Sequence, residues 1–336
     1  MEPVQAPGAP KSDTQATAPS TAVSLSRVGV CGVEKVIRVS LNGTESTYHA
    51  EFECVVDLNP QQKGVHMSRF EEVVNEAIDE VVLNNALRAE ELAAKVAEQV
   101  RERQDGLRAE VKVTARYPET VPAPASGIDT QEIYTLFGTA VASAAGTRTI
   151  TGVEAQGMTA CPCAQGMVEE RARERLAESG FDDSQIEQIV EDVPMATHNQ
   201  RGVGQLHIGL PEGSDVQLDA RELLRIVESS MSSEIYELMK RSDEVTVVEK
   251  AHRNPRFVED CVREMVRALL EAHPELPDDA FLMTRQENFE TIHRHNVVAE
   301  RYGTIGEIRR EIDGGEQTAH HRSMTEWLAG ESGTQA

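Results

Sequence analysis

The residue types best suited to chemistry fall in short clusters along the second half of this 336-residue chain. One cluster, Ala160-Cys161-Pro162-Cys163, follows a stretch with strand character and offers two thiols. No second Cys-x-Cys pair exists in the sequence, so four thiolates cannot complete a structural zinc site here. One thiol can instead ligate a metal together with histidine or carboxylate and leave a position open for water. The alternative is a pair of small buried side chains.

Two further stretches carry imidazole groups. His198 stands in the polar run Thr197-His198-Asn199-Gln200-Arg201, directly before a predicted strand. Glu290 and His293 are three residues apart, a spacing that brings a carboxylate and an imidazole together if the segment is helical. The ordinary alternatives are a solvated loop histidine and an exposed ion pair.

Acidic and basic side chains cluster between these histidines. Glu234 lies in a predicted helical turn that leads to Lys240 and Arg241, and Glu249 precedes a helix start at Asn254. Such mixed charges are also typical of a solvated face, and Glu249 could be a surface acid. Together, however, one thiolate, one loop histidine and one glutamate have the composition of an open hydrolytic metal centre.

Hydrophobic patterning predicts two successive groups of strands and helices, here called rounds, that position these residues. The first round comprises strands at 28–40 and 47–58 joined by a hairpin signal at Asn42 and Gly43, helices starting at 68 and near 92, and a strand at 111–117 ended by prolines. The second comprises strands at 133–142 and 147–156, a helical insertion at 168–190, a strand at 204–210, a helix at 219–231, a strand at 245–248, a helix at 254–271 and a strand at 281–284. Strands followed by helices in each round indicate an α+β fold with helices on one face of an antiparallel sheet.

Composition divides the chain into two modules between polar ends. Residues 1–22 are rich in Ala, Pro, Ser and Thr and are predicted to be a disordered tail. The modules are predicted at 23–128 and 129–312, the second carrying a charged insertion at 164–196. Residues 313–336 are polar and glycine-rich, which predicts a flexible tail.

The charge balance restricts the partners. The net charge of −24 excludes general binding to nucleic acid or anionic membranes, because both require basic surface. No apolar run approaches the roughly 20 residues of a membrane span, and the N-terminal residues lack the charged-then-apolar order typical of a signal peptide. A cytoplasmic protein is therefore expected. In such a protein, an odd number of cysteines argues against a disulfide framework. A strongly acidic, lysine-poor surface also predicts a halophilic source.

Six motifs occur in order between about residues 30 and 300, and together they resemble one family. They are Gly64-Val65-His66-Met67-Ser68-Arg69-Phe70; Cys161-Pro162-Cys163; His198-Asn199-Gln200-Arg201; Ser233-Glu234-Ile235-Tyr236 leading to Lys240-Arg241; Glu249-Lys250-Ala251 with Asn254-Pro255-Arg256-Phe257-Val258-Glu259-Asp260; and Asn288-Phe289-Glu290-Thr291-Ile292-His293. The sequence resembles the type IB GTP cyclohydrolases, most closely their archaeal MptA branch.

The resemblance implies a fold, an assembly and a set of functional residues. The fold is the tunnelling fold, with two sheet-plus-helix modules per subunit in a homotetramer whose active sites lie at or near subunit interfaces. By resemblance, Cys161, His198 and Glu234 hold one divalent metal, Fe(II) or alternatively Zn(II) or Mn(II). Cys161, Glu249 and His293 take part in catalysis, and the substrate GTP contacts Glu290, with His66, Lys240 and Arg241 as further contacts.

The resemblance also implies a reaction, in which the guanine ring opens at C8 and releases formate. About thirty residues, many of them charged, separate Cys163 from His198, and this insertion resembles the archaeal branch. That branch implies 7,8-dihydroneopterin 2′,3′-cyclic phosphate and diphosphate as products, at the start of methanopterin synthesis. The alternatives are 7,8-dihydroneopterin triphosphate for folate, or a non-catalytic metal- or pterin-binding protein on the same fold.

Overall fold

The computed structural model describes residues 13–41, 44–80, 83–84, 88–315 and 320–330. The chain divides into two compact units. The first unit contains Met1–Val113 and Thr139–Arg148, and the second contains Thr114–Gly138 and Thr149–Ala336. Within the described residues, no helix is long and apolar enough to cross a membrane.

The first unit begins with an antiparallel pair of long strands. β1 (Leu25–Leu41) pairs with β2 (Thr44–Leu58), and its far end pairs in parallel with the short strand β3 (Leu83–Asn84). The register of β1 against β2 shifts between Val30 and Val33, where Gly32 adopts a φ of 67° that favours glycine. The turn predicted at Asn42 and Gly43 lies outside the described residues.

Two helices cover the apolar face of this unit. α1 (Met67–Glu80) and α2 (Ala89–Arg103) pack against each other, and α2 precedes β4 (Arg108–Pro122), the first residues of which belong to this unit. The helical face predicted from the sequence is confirmed by the fully buried side chains Phe70, Val73, Val74, Ala77, Leu92, Val96 and Val100. Burying each of the larger side chains stabilises the unit by roughly 1.5–3 kcal/mol. Val81 and Val82, predicted on the same face, lie outside the described residues.

The second unit is built on antiparallel strands that order the candidate site residues. Its strands are the remainder of β4, β5 (Asp129–Ser143), β6 (Gly146–Ala160), β7 (Asn199–Leu210), β8 (Ser233–Glu234), β9 (Phe281–Asn288) and β10 (Val297–Thr304). The end of β5 and the beginning of β6, within Thr139–Arg148, belong to the first unit. β7 lies between β6 and β9, β10 pairs with β9, and the short strand β8 pairs with β6 opposite Gly157 and Met158. β4 continues through Pro118 to Pro122, so the prediction that the prolines end it at 117 is wrong; proline fits the extended φ of a strand and removes one donor.

Helices follow the strands of the second unit, and some differ from expectation. They are α3 (Pro162–Glu178), α4 (Asp183–Asp192), α5 (Ala220–Ser229), α6 (Arg241–Arg253), α7 (Val258–Ala272), α8 (Ile305–Gly314) and α9 (Met324–Ala329). The strand predicted at 245–248 is wrong, because these residues lie in α6. Asp243 accepts the Lys240 N–H at 2.8 Å at the helix start and so caps it, while Val245 and Val248 face solvent.

Both predicted tails contain ordered contacts. The tail predicted from 313 contains α9, whose Trp327 is fully buried and donates its indole N–H to the carbonyl of Asp279 at 2.7 Å. In the first unit, the carbonyl of Gln15 accepts the Lys63 N–H at 3.0 Å, although this residue lies in the tail predicted at 1–22. These contacts depend on partners distant in sequence, so local composition does not reveal them.

The insertion predicted at 164–196 forms the helices α3 and α4, which pack on each other. No side chain of α3 is buried, and Ile186 is the buried residue of α4. Gln165 Nε2 donates to the carbonyls of Met195 at 3.0 Å and His252 at 2.6 Å. Arg253 caps the end of α4 through the carbonyls of Glu191 and Asp192, at 3.0 and 2.9 Å. The pair is therefore attached to α6 by hydrogen bonds more than by a shared core.

Candidate active site

Cys161 lies at the junction between β6 and α3. It is the residue before the first turn of α3, where Pro162 fits because its missing N–H is not required. The Cys161 N–H donates to the carbonyl of His198 at 3.1 Å, and Thr197 Oγ1 donates to the Cys161 carbonyl at 2.7 Å. Cys161 is half-buried and Cys163 is exposed. The structure thus brings Cys161 and His198 together through their backbones, although 36 residues separate them.

The ring of His198 is oriented by a buried amide. Its Nδ1 lies 3.0 Å from Gln200 Oε1, and Gln200 Nε2 lies 3.0 Å from Thr159 Oγ1. With the amide placed in this way, Oε1 accepts a hydrogen bond from the Nδ1–H group, and the lone pair of the imidazole stays on Nε2. Neutral imidazole with a free ring nitrogen is the form that ligates a metal. Gln200 lies in one of the six motifs, but sequence analysis assigned it no role.

Glu290 and His293 join His198 from the loop after β9. The side chain of Glu290 is 7% exposed, and its Oε2 lies 3.6 Å from His198 Nδ1. Within the described part of the chain this oxygen has no hydrogen-bond partner. The His293 ring meets the His198 ring edge-on, with centroids 6.4 Å apart, and stacks on His295 at 5.2 Å. The segment is a loop, so the helical spacing considered for Glu290 and His293 is wrong. Two hydrogen bonds to β7 place the loop beside His198 instead: the Phe289 N–H donates to the Arg201 carbonyl at 2.9 Å, and Thr291 Oγ1 donates to the Asn199 carbonyl at 3.1 Å.

Glu234 reaches the end of β6 through the two-residue strand β8. It lies opposite Gly157, and close packing explains that glycine: a Cβ there would lie 2.7 Å from Met231 Cε. Its carboxylate forms a short ion pair with Lys250 Nζ of α6. The turn around Glu234 was predicted to be helical and is extended, because pairing with β6 satisfies its backbone.

The beginning of α6 presents Lys240 and Arg241, which are exposed, and the same helix carries the exposed Glu249 two turns on. Asp243 fixes this helix end. Its buried carboxylate accepts four hydrogen bonds, from the backbone N–H groups of Ala125, Ser126 and Lys240 and from Ser126 Oγ, at 2.7–2.8 Å. These donors hold the pKa of Asp243 well below its usual range despite burial. Sequence analysis missed Asp243.

His66 belongs to the first unit, and its hydrogen-bond partners lie in the same unit. Its Nε2 lies 3.1 Å from Asp13 Oδ2. Gln104 holds its backbone on both sides, accepting the His66 N–H at 3.3 Å and donating to its carbonyl at 2.9 Å. The contacts of His66 in this unit are therefore polar and come from residues distant in sequence.

Two clefts of the second unit adjoin these residues. One, of about 460 Å³, is lined by Asn199, Gln200, Arg201, Phe289 and Thr291, the chain neighbours of His198 and Glu290. The other, also about 460 Å³, contains Glu228, whose Oε1 accepts the Tyr134 hydroxyl at 2.9 Å. Burial raises the pKa of Glu228 to about 7, with a further contribution from nearby Glu234. A groove of about 910 Å³ between α7, β10 and α8 contains none of the candidate site residues.

The donor types present suit a divalent metal, but three ligands are not assembled. Among the residues that the structure describes, no three His, Cys, Asp or Glu side chains are arranged to hold a metal ion. Cys161 and His198 are adjacent, and the carboxylate of Glu234 is engaged by Lys250. A cationic or donor-rich ligand nevertheless fits the thiol, the free imidazole nitrogen and the Glu290 oxygen that has no hydrogen-bond partner among the described residues. Such a ligand would satisfy this oxygen, because a buried carboxylate oxygen without a partner is costly.

Comparison with known proteins decides the family. A family model described as Type I GTP cyclohydrolase folE2 matches residues 12–299. The chain belongs to this family. Two archaeal relatives named GTP cyclohydrolase MptA are similar over nearly their whole length. That of Methanococcus aeolicus is 41% identical over 307 residues, covering 89% of this chain and 99% of its own. That of Methanothermobacter thermautotrophicus is 42% identical over 307 residues, covering 90% and 96%.

Membership of the type I GTP cyclohydrolases confirms the prediction from the six motifs, and the family is one of enzymes. A solved structure of a hyper-thermostable AgUricase mutant aligns with a TM-score of 0.50 at 9% identity, covering 88% of this chain and 94% of that one. At this identity the likeness concerns the fold alone. It confirms the α+β tunnelling fold.

Proposed function

We propose that this type I GTP cyclohydrolase converts GTP to 7,8-dihydroneopterin 2′,3′-cyclic phosphate, formate and diphosphate in archaeal pterin synthesis. The observation that carries the proposal is the cluster of His198, Glu290 and His293 beside Cys161, in which a buried carboxylate oxygen has no hydrogen-bond partner among the described residues. The archaeal relatives, named MptA, support this branch over the folate branch.

The metal of this reaction is proposed to be Fe(II), with Zn(II) or Mn(II) as substitutes, held by Cys161, His198 and Glu234. When bound, such an ion would lower the pKa of a water molecule towards about 7 and so supply hydroxide at neutral pH. The residues of the chain itself orient the ligands. Gln200 keeps the proton of His198 on Nδ1, which leaves Nε2 for the ion, and Lys250 must give up its bond to Glu234.

Glu290 is proposed to recognise guanine. The N1–H and the 2-amino group of guanine are both donors, and a carboxylate accepts two such hydrogen bonds. The side chain is 7% exposed, so its unpartnered oxygen gains a partner when the base binds without first losing much hydration. This places C8, on the far side of the base, away from Glu290.

Proton transfer is proposed for His293 and Glu249, and phosphate binding for Lys240 and Arg241. His293 lies edge-on to His198 in the same cluster, where an imidazole can exchange protons with the opening ring. Lys240 and Arg241 are exposed at the beginning of α6, where cationic donors and a helix N-terminus both favour phosphate. His66 is proposed to complete the substrate contacts in a homotetramer.

The decisive experiment is anaerobic incubation of the purified chain with GTP and Fe(II), with formate and diphosphate measured together and the pterin identified by mass. Equal amounts of formate and diphosphate with a cyclic phosphate pterin are expected. Formate without diphosphate would replace the proposed product by the triphosphate. No formate from the parent enzyme, with GTP bound, would favour a non-catalytic pterin-binding role.

A further inference from the structure

Three segments of the second unit meet at Ala160, the residue before Cys161. Ala160 is fully buried, and its N–H donates to Ser232 Oγ at 3.1 Å. Its carbonyl accepts the backbone N–H of Arg256 at 3.0 Å. Both polar backbone groups at the end of β6 are thus held by residues distant in sequence, and the position of Cys161 depends on them.

Asn254 ties the same junction to the segment that carries Glu234. Its Nδ2 donates to the carbonyls of Met231 at 3.4 Å and Ser232 at 3.3 Å. Two residues later the chain reaches Glu234, which pairs with β6 opposite Gly157. Asn254, the residue that ends α6, therefore holds the segment that leads to Glu234.

Arg256 completes the connection. Its Nη1 donates to the carbonyls of Ser229 at 3.2 Å and Ser230 at 2.8 Å, the last carbonyls of α5, and its Nε donates to Asn254 Oδ1 at 3.3 Å. A guanidinium that binds two carbonyls at a helix C-terminus has both hydrogen bonds and the helix dipole in its favour. One residue thus contacts the end of α5 with its side chain and the end of β6 with its backbone.

Pro255 makes this arrangement possible. Proline disfavours the helical conformation of the residue before it, so α6 stops and Asn254 adopts φ −130° and ψ 57°. The chain turns away from α6, and Arg256 reaches Ala160 before α7 begins at Val258. The motif Asn254-Pro255-Arg256, which the sequence analysis recognised without assigning a role, is thereby explained as a unit.

We propose that Asn254 and Arg256 are positioning residues that set Cys161 and Glu234 relative to each other. The proposal rests on the proposed function, in which these two side chains hold one metal ion. Neither residue touches that ion. They act by tying the end of β6, which leads to Cys161, and the end of α5, which leads to Glu234, to the same short segment.

The test compares the parent chain with R256Q, N254A and R256K. Arg309 provides a matched control, R309Q, because its guanidinium also binds a carbonyl, that of Pro274 at 2.9 Å, together with Asp278. The first measurement is amide hydrogen exchange of the metal-free proteins at 157–163 and 229–236. The second is Co(II) affinity, with the thiolate-to-cobalt absorption band as a signature of Cys161, and C161A as its blank.

R256Q and N254A are expected to exchange faster at both segments and to bind Co(II) roughly 10–100-fold more weakly, the usual effect of losing a residue that orients ligands. R256K, which keeps the positive charge and a nitrogen donor, should lie between them and the parent, and R309Q should match the parent in both measurements. Thermal unfolding midpoints identify variants that simply fail to fold.

The outcomes separate this proposal from the proposed function. Exchange that increases at one segment alone, or Co(II) affinity that stays at the parent level in folded R256Q and N254A, would overturn the positioning role. A parent protein without the Cys161-dependent band would overturn the metal assignment, and the positioning role with it.

Discussion

Gln200 Oε1 lies 3.0 Å from His198 Nδ1, and this single contact determines which nitrogen of His198 is free. Gln200 is buried, and Thr159 holds the other end of its amide. The arrangement is the usual one around metal-ligating histidines, whose second nitrogen donates to a fixed acceptor. The ring of His198 is therefore oriented before any ligand binds.

Replacing Gln200 by Leu is expected to lower metal affinity by roughly 10–100-fold, because the ring of His198 loses its fixed orientation. Chelator competition measures the change. Gln205→Leu is the matched control, since this glutamine lies on the same strand and bonds to Glu154 instead. Equal affinities of the parent and the Gln200 variant would show that Gln200 does not orient the ring.

Cys161→Ala, His198→Ala and Glu234→Ala should each lower metal content and abolish formate release, because a three-ligand site seldom tolerates the loss of a ligand. Cys163→Ala serves as control, since Cys163 is exposed in the first turn of α3 and should remain near the parent. Metal analysis and formate assay are done on the same samples. Full metal content and turnover in Cys161→Ala would contradict the assignment.

Glu249→Gln should keep metal and GTP binding while turnover falls by roughly 10²-fold or more, the scale of losing a general acid or base. Glu244→Gln changes an exposed acid of the same helix and should have little effect. The kcat and KM of both variants are compared with the parent. An unchanged kcat would make Glu249 an ordinary surface acid.

Acid should destabilise the fold through His207. This histidine stacks on Phe137 and fits against Gly152, and burial lowers its pKa from 6.5 to about 4. The unfolded chain therefore binds the proton more readily than the folded one. The contribution of neutral His207 to the free energy of unfolding is complete above pH 6.5 and is lost as the pH falls towards 4. The resulting loss in the free energy of unfolding is at most about 3 kcal/mol.

Urea unfolding at pH 7 and at pH 4.5 measures this effect against His207→Asn, which has no proton to gain. The parent should lose more free energy of unfolding between the two pH values than the variant does. His252→Asn, a change at a histidine on α6, is the control. Parallel losses in parent and His207→Asn would assign the acid sensitivity to other groups.

Salt should stabilise the chain, because its formal charge is −24 and molar salt reduces the screening length to about 3 Å. Thermal unfolding midpoints measured from dilute buffer to molar potassium chloride are expected to rise. A midpoint that stays flat or falls would remove the inference of a halophilic source.

Periodicity predicted the elements whose stability depends on one buried face. Phe70, Val73 and Val74 mark the buried face of α1 in sequence and structure alike, because helix geometry alone places them together. The motifs likewise identified Cys161, His198 and Glu290, whose chemistry is visible in the residue type.

Residues that act through the backbone of distant segments could not be predicted in the same way. Arg256 and Asp243 look like ordinary charged residues, and their roles exist only once β6, α5 and the 125–126 turn are in place. The helix at Val245–Val248 shows the same limit, since its β-branched residues favour a strand and a capping aspartate outweighs them.

The shallow attachment of α3 and α4 has a consequence for the history of the chain. These helices bury almost nothing and are joined to α6 by Gln165 and Arg253, so their residues can vary, shorten or lengthen without a change in the core. Mutations should accumulate there freely between two fixed ends, Cys161 and His198. A lineage could gain or lose α3 and α4 together as one insertion, while Cys161 and His198 kept their positions and their chemistry.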